Sequence, residues 1–231
     1  MQVDIYDTDY TRFIQLLGTA HFTRRSVKEA SEAIEKSKTQ DIAIELDPRR
    51  FNVLSKICNQ CRRRDSCSTK CEFIAASEAL GNTDANIWLI DMTEKEMKNR
   101  IRTFTKLWIS WNKLHILNGD ENLPWLWEQG HKDEAIQRSN RNLDRLKKYA
   151  SPIWRVLIEE RNALMAARLA TITSNKLEKK ENPNLLALLG AAHIKGIKNL
   201  LQNPKSIQMA LKKLNLTYTP PILIKRIKVG S

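Results

Sequence analysis

Glycine and proline are scarce, with seven of each in 231 residues. That excludes a low-complexity or linker-like chain. Long apolar runs are also missing. The longest spans about Leu185 to Ile194 and is interrupted by Gly190 and His193, whereas a membrane-crossing helix needs roughly 20 apolar residues. Basic residues are absent from Met1–Tyr10, where Asp4, Asp7 and Asp9 stand instead; a secretory leader has the reverse pattern. A cytoplasmic protein is therefore expected. There is no internal repeat of fixed period. Cysteine is rare too, and all four fall between Cys58 and Cys71.

What is present is globular in character. Hydrophobic residues make up 42% and charged residues 28%, enough for one domain with a full core. The net charge of +13 raises nucleic acid, anionic surfaces and acidic substrates as partners. Lys and Glu are interspersed along most predicted helices, however, which is the pattern of a solvated surface. The densest basic stretch, Arg138 to Lys148, lies on a predicted amphipathic helix.

Phe13–Leu17, Asp41–Leu46, Asn86–Ile90 and Leu185–Leu189 read as buried strands. Helices are expected from Ser26, from Pro48, and from Thr93, where Thr93-x-x-Glu96 forms a capping box. A turn is expected over Asn118–Trp125, then a helix to about Tyr149, and another from Ser151-Pro152 to about Thr173. Short helices at Ile197–Leu201 and Pro204–Leu214 follow. Pro221–Val229 reads as an edge strand. Alternating strands and helices predict an α/β fold, a mostly parallel central sheet with helices on its faces and an inserted three-helix block over about 93–174.

Gly18-Thr19-Ala20-His21 and Gly190-Ala191-Ala192-His193 each close a strand. The glycine suits a sharp turn, and the histidine then lies beyond the strand's C-terminal end, where open parallel sheets bind ligands. A helix-entry histidine bonded to backbone is the bland alternative for each. Glu45 is a carboxylate in an apolar strand, which is costly unless paired or ligating; Arg49 and Arg50 are near enough to pair with it. Glu72 opens the helix after the cysteines. Glu160 and Arg161, being adjacent, point in different directions on their helix.

At these residues the chain resembles the TraB/PrgY family. The strand-G-T-A-H start, I-E-L-D-P-R-R (Ile44–Arg50), E-R-N-x-x-M-A (Glu160–Ala166) and L-G-A-A-H-x-x-G-I (Leu189–Ile197) occur in the family's order. Leu89-Ile90-Asp91, followed by Arg100, and Glu72-Phe73 are similar to further family segments. The resemblance covers about residues 13 to 200. It implies one TraB-like domain over 1–231, with a fold shared with Tiki-type metalloproteases, erythromycin esterases and ChaN-like haem-binding proteins, and a site built from His21, Glu45, Glu72, Glu160, Arg161 and His193. In Tiki-type relatives the activity is metal-dependent peptide hydrolysis. The chain departs from the pattern where Met92-Thr93 stand for the family's R-D, where Asn162 stands for the Asp of E-R-D, and where the Cys-rich loop replaces a Gly-containing one. Many archaeal relatives carry C-terminal membrane helices, and none is expected in this sequence.

Cys58-x2-Cys61-x5-Cys67-x3-Cys71 fits four thiolates around zinc or an iron–sulfur cluster, and the spacing does not choose between them. Disulfides are the alternative, disfavoured in a cytosol. The combined expectation is a metal-dependent hydrolase of a peptide or ester. His21, His193, Glu45 and Glu72 bind a divalent metal or polarise a water, Glu160 or Glu45 is the general base, and Arg161 or Arg49 binds a carboxylate or oxyanion. Two alternatives stand beside it. One is a protein that binds haem or a peptide without turnover; the other is a nucleic-acid-associated regulator using the Cys loop and the Arg138–Lys148 face. Trp108, Trp111, Trp125, Trp127 and Trp154 fall in the helical block, where core packing is expected and a substrate-lining or homodimer surface is the alternative.

Overall fold

The computed structural model describes residues 8–21, 23–39, 41–60, 85–105 and 122–225, without the side chains of 57–60, 104–105 and 225. Among the described residues five strands form one sheet: β1 (Ile14–Thr19), β2 (Asp41–Ile44), β3 (Asn86–Leu89), β4 (Leu185–Gly190) and β5 (Ile222–Lys225). Their spatial order is β1-β4-β2-β3-β5. The first four are mutually parallel, and β5 closes one edge antiparallel to β3. The expected α/β class and mostly parallel sheet are thus what the chain adopts, with the proline-led strand at an edge, where a missing N–H is tolerated.

Burial explains why these strands read as continuous apolar runs. Along β4, Leu186 and Leu188 pack on one face with Ala30, Ile34 and Phe51. Leu185, Ala187 and Leu189 pack on the other with Met165, Leu169 and Ile197. The first face is covered by helices α1 (Arg24–Ser37) and α2 (Pro48–Gln60). Helix α1 is capped by Thr23, whose side chain accepts from the Ser26 N–H, so the cap lies three residues before the expected one.

Between β3 and β4 run α3 (Glu94–Thr105), α4 (Leu123–Gln129), α5 (Lys132–Tyr149), α6 (Ser151–Trp154), a π turn over Arg155–Glu160, and α7 (Arg161–Glu178). The Thr93/Glu96 capping box forms in both directions, at 3.1 and 3.2 Å. Of the turn expected over Asn118–Trp125, residues 118–121 lie outside the described residues, and Leu123–Trp125 belong to α4, because Pro124 fits a first helical turn; a break follows at Gly130 with φ +92°. Nor is the last long helix part of an appended block. Its α7 section covers the sheet, together with α8 (Ala191–Gln202) and α9 (Pro204–Leu214). Helix α8 starts directly after β4, so His193 sits in its first turn. Among the described residues no helix is long and apolar enough to cross a membrane.

Candidate active site

The C-terminal ends of β1, β4 and β2 lie side by side, and each delivers one polar side chain. After β1, the segment leading to His21 is fastened by α1: Ser26 Oγ donates to Ala20 O at 2.9 Å and accepts from Ala20 N at 3.0 Å. After β2, Glu45 keeps sheet pairing, its N–H donating to Leu188 O at 3.2 Å. After β4, Gly190 ends the strand and α8 carries His193. The three side chains meet: His193 Nε2 lies 3.4 Å and His21 Nε2 3.8 Å from Glu45 Oε1. Glu45 Oε2 accepts from the Gly190 N–H at 2.6 Å.

The glycine in the second motif has a different reason from the one its sequence suggested. Gly190 has φ −57°, open to any residue. A Cβ there would sit 2.9 Å from His21 Nε2 and 3.3 Å from Glu45 Oε2. Close approach of backbone to the site, rather than turning freedom, demands glycine.

Arg161 ties Glu45 to Asp91 at the end of β3. Its Nη2 donates to Glu45 Oε1 and, at 2.6 Å, to Asp91 Oδ2; its Nε donates to Asp91 Oδ1 at 2.9 Å and its Nη1 to Leu157 O at 3.3 Å. Four of the five N–H donors of a guanidinium are thereby committed within the protein, so Arg161 organises carboxylates more than it offers itself to an oxyanion. Arg50 joins from α2, pairing with Asp47 and Asp91. Asp47 itself caps α2, accepting from the N–H groups of Arg49 and Arg50 at 2.8 and 3.2 Å.

These charges set the protonation states. Burial opposes ionisation of Glu45, but His193, Arg161 and His21 around it outweigh burial and hold the carboxyl well below its usual range. Asp91 is likewise held down against burial by Arg161 and Arg50. Burial dominates at His193 and lowers its pKa to about 4, so the ring is neutral at neutral pH. Its Nδ1 lies 2.6 Å from Asn162 Oδ1. An amide oxygen only accepts, which puts the ring proton on Nδ1 and leaves the Nε2 lone pair facing Glu45.

Not every expected residue arrives here. Glu160 is fully buried but outside the crevice, gripped by Arg100 and Arg155. Arg100 and Arg155 also donate to Leu214 O at the end of α9, at 2.9 and 3.0 Å, so this cluster fastens helix ends. Arg49 is 75% exposed and lies 3.6 Å from Glu94, so neither it nor Arg50 is the partner of Glu45. Glu72, Cys61, Cys67, Cys71 and the side chain of Cys58 lie outside the described residues, as do Trp108 and Trp111. Conversely, Asp91 and Asn162 belong to the site although the sequence reading gave neither a role. Asp91 was detectable as a second carboxylate ending an apolar strand. Asn162 is the position where E-R-N departs from E-R-D.

The crevice opens into a cavity of about 470 Å³, lined by His21, Glu45, Arg161, Gly190 and His193 together with side chains of α4, α5 and the π turn. Glu45 is the carboxylate among its described lining residues. As placed, no group of three or more His, Cys, Asp or Glu among the described residues is spaced to hold a metal ion. The donor chemistry nevertheless suits one: metal ligands must be deprotonated, and Glu45 is ionised while His193 is neutral with its outer nitrogen tethered.

Fold and crevice together define an α/β protein with a polar site over the ends of three adjacent parallel strands. No known family's sequence profile matches the chain. Among curated proteins it is similar to the uncharacterized protein MJ1365 of Methanocaldococcus jannaschii, 26% identical over 223 residues that cover 82% of this chain and 53% of that protein. The chain thus spans about half the length of that relative.

Proposed function

We propose that this chain is a cytoplasmic hydrolase of peptide or ester bonds, of the TraB/PrgY kind, with a divalent cation held by His21, Glu45 and His193. The observation that carries the reading is the convergence of two imidazole Nε2 atoms on one oxygen of Glu45, with the lone pair of His193 aimed by Asn162. A cation there supplies Lewis acidity toward a substrate carbonyl. The chain's own residues do the rest. Arg161 and the Gly190 N–H hold Glu45 ionised and in place as a ligand, and Glu160, gripped by Arg100 and Arg155, is out of reach of a water bound there. His21, with its side chain 38% exposed, stands at the mouth of the crevice.

Arg161 on the same Glu45 oxygen favours a second reading, ligand binding without turnover, since a fixed cation there competes with a metal. One experiment separates the two. The purified chain is titrated with Co²⁺, and the nitrogen/oxygen-type absorption is distinguished from the thiolate bands of the Cys segment. Hydrolysis of a peptide and ester panel is then assayed for wild type, Glu45→Gln and His193→Ala. Cobalt-dependent turnover lost in both variants supports the hydrolase. No turnover from a chain that still binds panel members leaves the binding reading, whereas turnover that survives in both variants removes Glu45 and His193 from the chemistry.

A further inference from the structure

The lining of the cavity includes two residues with buried donors that lack acceptors. Trp127, on α4, is 3% exposed, and its Nε1 has no hydrogen-bond partner. Asn142, on α5, has a buried Nδ2 in the same condition. Both residues line the cavity that contains His21, Glu45 and His193. Folded proteins seldom leave buried N–H groups unpaired, and each exception calls for a physical cause. Solvent reaches neither nitrogen, so bulk water does not supply the missing acceptor.

Trp127 is also placed close to the chemistry. It packs with Ala20 and Ala191, one residue from each G-x-x-H motif. An indole N–H donates and never accepts, so its partner must carry an oxygen or other acceptor. Leu143 and Leu157 line the same cavity and give the ligand an apolar neighbour. Arg161, the guanidinium that lines the same cavity, has most of its donors committed to Asp91, Glu45 and Leu157. Neutral donors beside apolar side chains suit a neutral carbonyl better than a carboxylate, whose charge would be desolvated without compensation.

We propose that Trp127 and Asn142 form a recognition wall for the carbonyl oxygen of an acyl amide, a peptide bond or N-acyl group, whose apolar side chain lies against Leu143 and Leu157. This deepens the hydrolase reading and rests on it only for the claim that the bound amide is cleaved. Because neither nitrogen is accessible in this structure, admission of the oxygen requires the groups around them to move.

The test uses the ¹⁵N-labelled chain and N-acetyl-leucine N-methylamide as the probe, titrated to millimolar concentration. The indole N–H cross-peak of Trp127, identified as the one missing from Trp127→Phe, is expected to move downfield. Trp127→Phe and Asn142→Leu are each expected to weaken binding about 5- to 10-fold, the effect of one net hydrogen bond. A cross-peak that stays still throughout the titration overturns the proposal, as does unchanged affinity in a folded Trp127→Phe variant. Should that variant fail to fold, the affinity of Asn142→Leu and the wild-type indole spectrum, assigned from its backbone connectivity, decide the matter. Hydrolysis distinguishes the two claims. A moving cross-peak with no turnover of any peptide removes the hydrolase and keeps the wall; Glu45-dependent turnover with a still cross-peak does the reverse.

Discussion

Gly196 lies one helical turn beyond His193, and replacing it with alanine perturbs the site without touching it. A Cβ at Gly196 would stand 2.2 Å from Asn162 Nδ2 and 3.1 Å from its Cγ. No real structure tolerates the first distance, so either α8 separates from α7 or the Asn162 side chain turns away. Turning away breaks the 2.6 Å bond to His193 Nδ1 and strands two buried groups, Asn162 Oδ1 and the His193 N–H. Each stranded group costs about 1–2 kcal/mol, and alanine's better helix propensity returns about 1 kcal/mol. We therefore expect Gly196→Ala to lose about 1–3 kcal/mol in urea unfolding and to release the His193 tautomer, visible in imidazole ¹⁵N shifts. The second half of a double-mutant cycle sharpens the claim. Once Asn162→Ala has emptied the space, the methyl group introduced by Gly196→Ala fits it, so the double variant should be at least about 1 kcal/mol more stable than the sum of the two single effects. A Gly196→Ala protein as stable as wild type with an unchanged tautomer, or an additive cycle, refutes the argument that Gly196 exists to seat Asn162.

Three further outcomes are expected. His193 has a folded pKa near 4 against about 6.5 unfolded, so the unfolded chain binds the extra proton between those values. Its contribution, about 3 kcal/mol, is complete above pH 6.5 and is lost as pH falls toward 4; a urea-midpoint series that is equally steep in His193→Gln would exclude this residue as the cause. Asn162→Asp places a negative charge on Nδ1 and should raise the His193 pKa by about 1–3 units, read by NMR titration; an unmoved pKa would mean the contact is not formed. Glu160→Gln leaves Arg100 and Arg155 without their carboxylate and should cost about 3 kcal/mol while turnover per folded molecule holds within a few-fold. A large fall in kcat at wild-type stability would return Glu160 to the active site.

The parts of this molecule that its sequence discloses are those encoded by one-dimensional pattern. The strands are legible because burial on both faces makes them apolar throughout, and Glu45 is legible because a carboxylate interrupts one of them. Helix starts at Pro48 and Thr93 follow from capping chemistry that acts over three or four residues, whereas at Ser151 the proline sets the start and Ala150, not the serine, is the N-cap. What is not legible depends on contacts far apart in the chain. Asn162 and His193 touch across 31 positions, and Arg161 reaches Glu45 across 116. The π turn at Arg155–Glu160 adds a second obstacle, because one extra residue rotates the following helix face by about 100° relative to a wheel counted from Ser151. Glu160 and Arg161 were expected to share a site because they are neighbours in a motif. Instead the helix sends Glu160 to Arg100 and Arg155 and Arg161 to the strand ends.

The glycines make the same point in reverse. In the second G-x-x-H motif and one turn beyond its histidine, a glycine reads most simply as a turn or a weak helix position. Gly190 and Gly196 are required because Glu45, His21 and Asn162 occupy the space of the absent Cβ. Each is the outer contact of a polar residue in the site, and together they press that site from two sides of α8. A G-x-x-H-x-x-G stretch at the junction of a parallel strand and a helix therefore specifies more than one histidine: the first glycine admits the carboxylate from the neighbouring strand, and the last admits the amide that orients the ring. It follows that substituting either glycine with alanine should disturb His193 by a different route, Gly190 through its Nε2 side and Gly196 through its Nδ1 side. The tautomer should respond to Gly196→Ala, whereas Gly190→Ala should displace His21 first, press on Glu45 and leave the Asn162 contact intact.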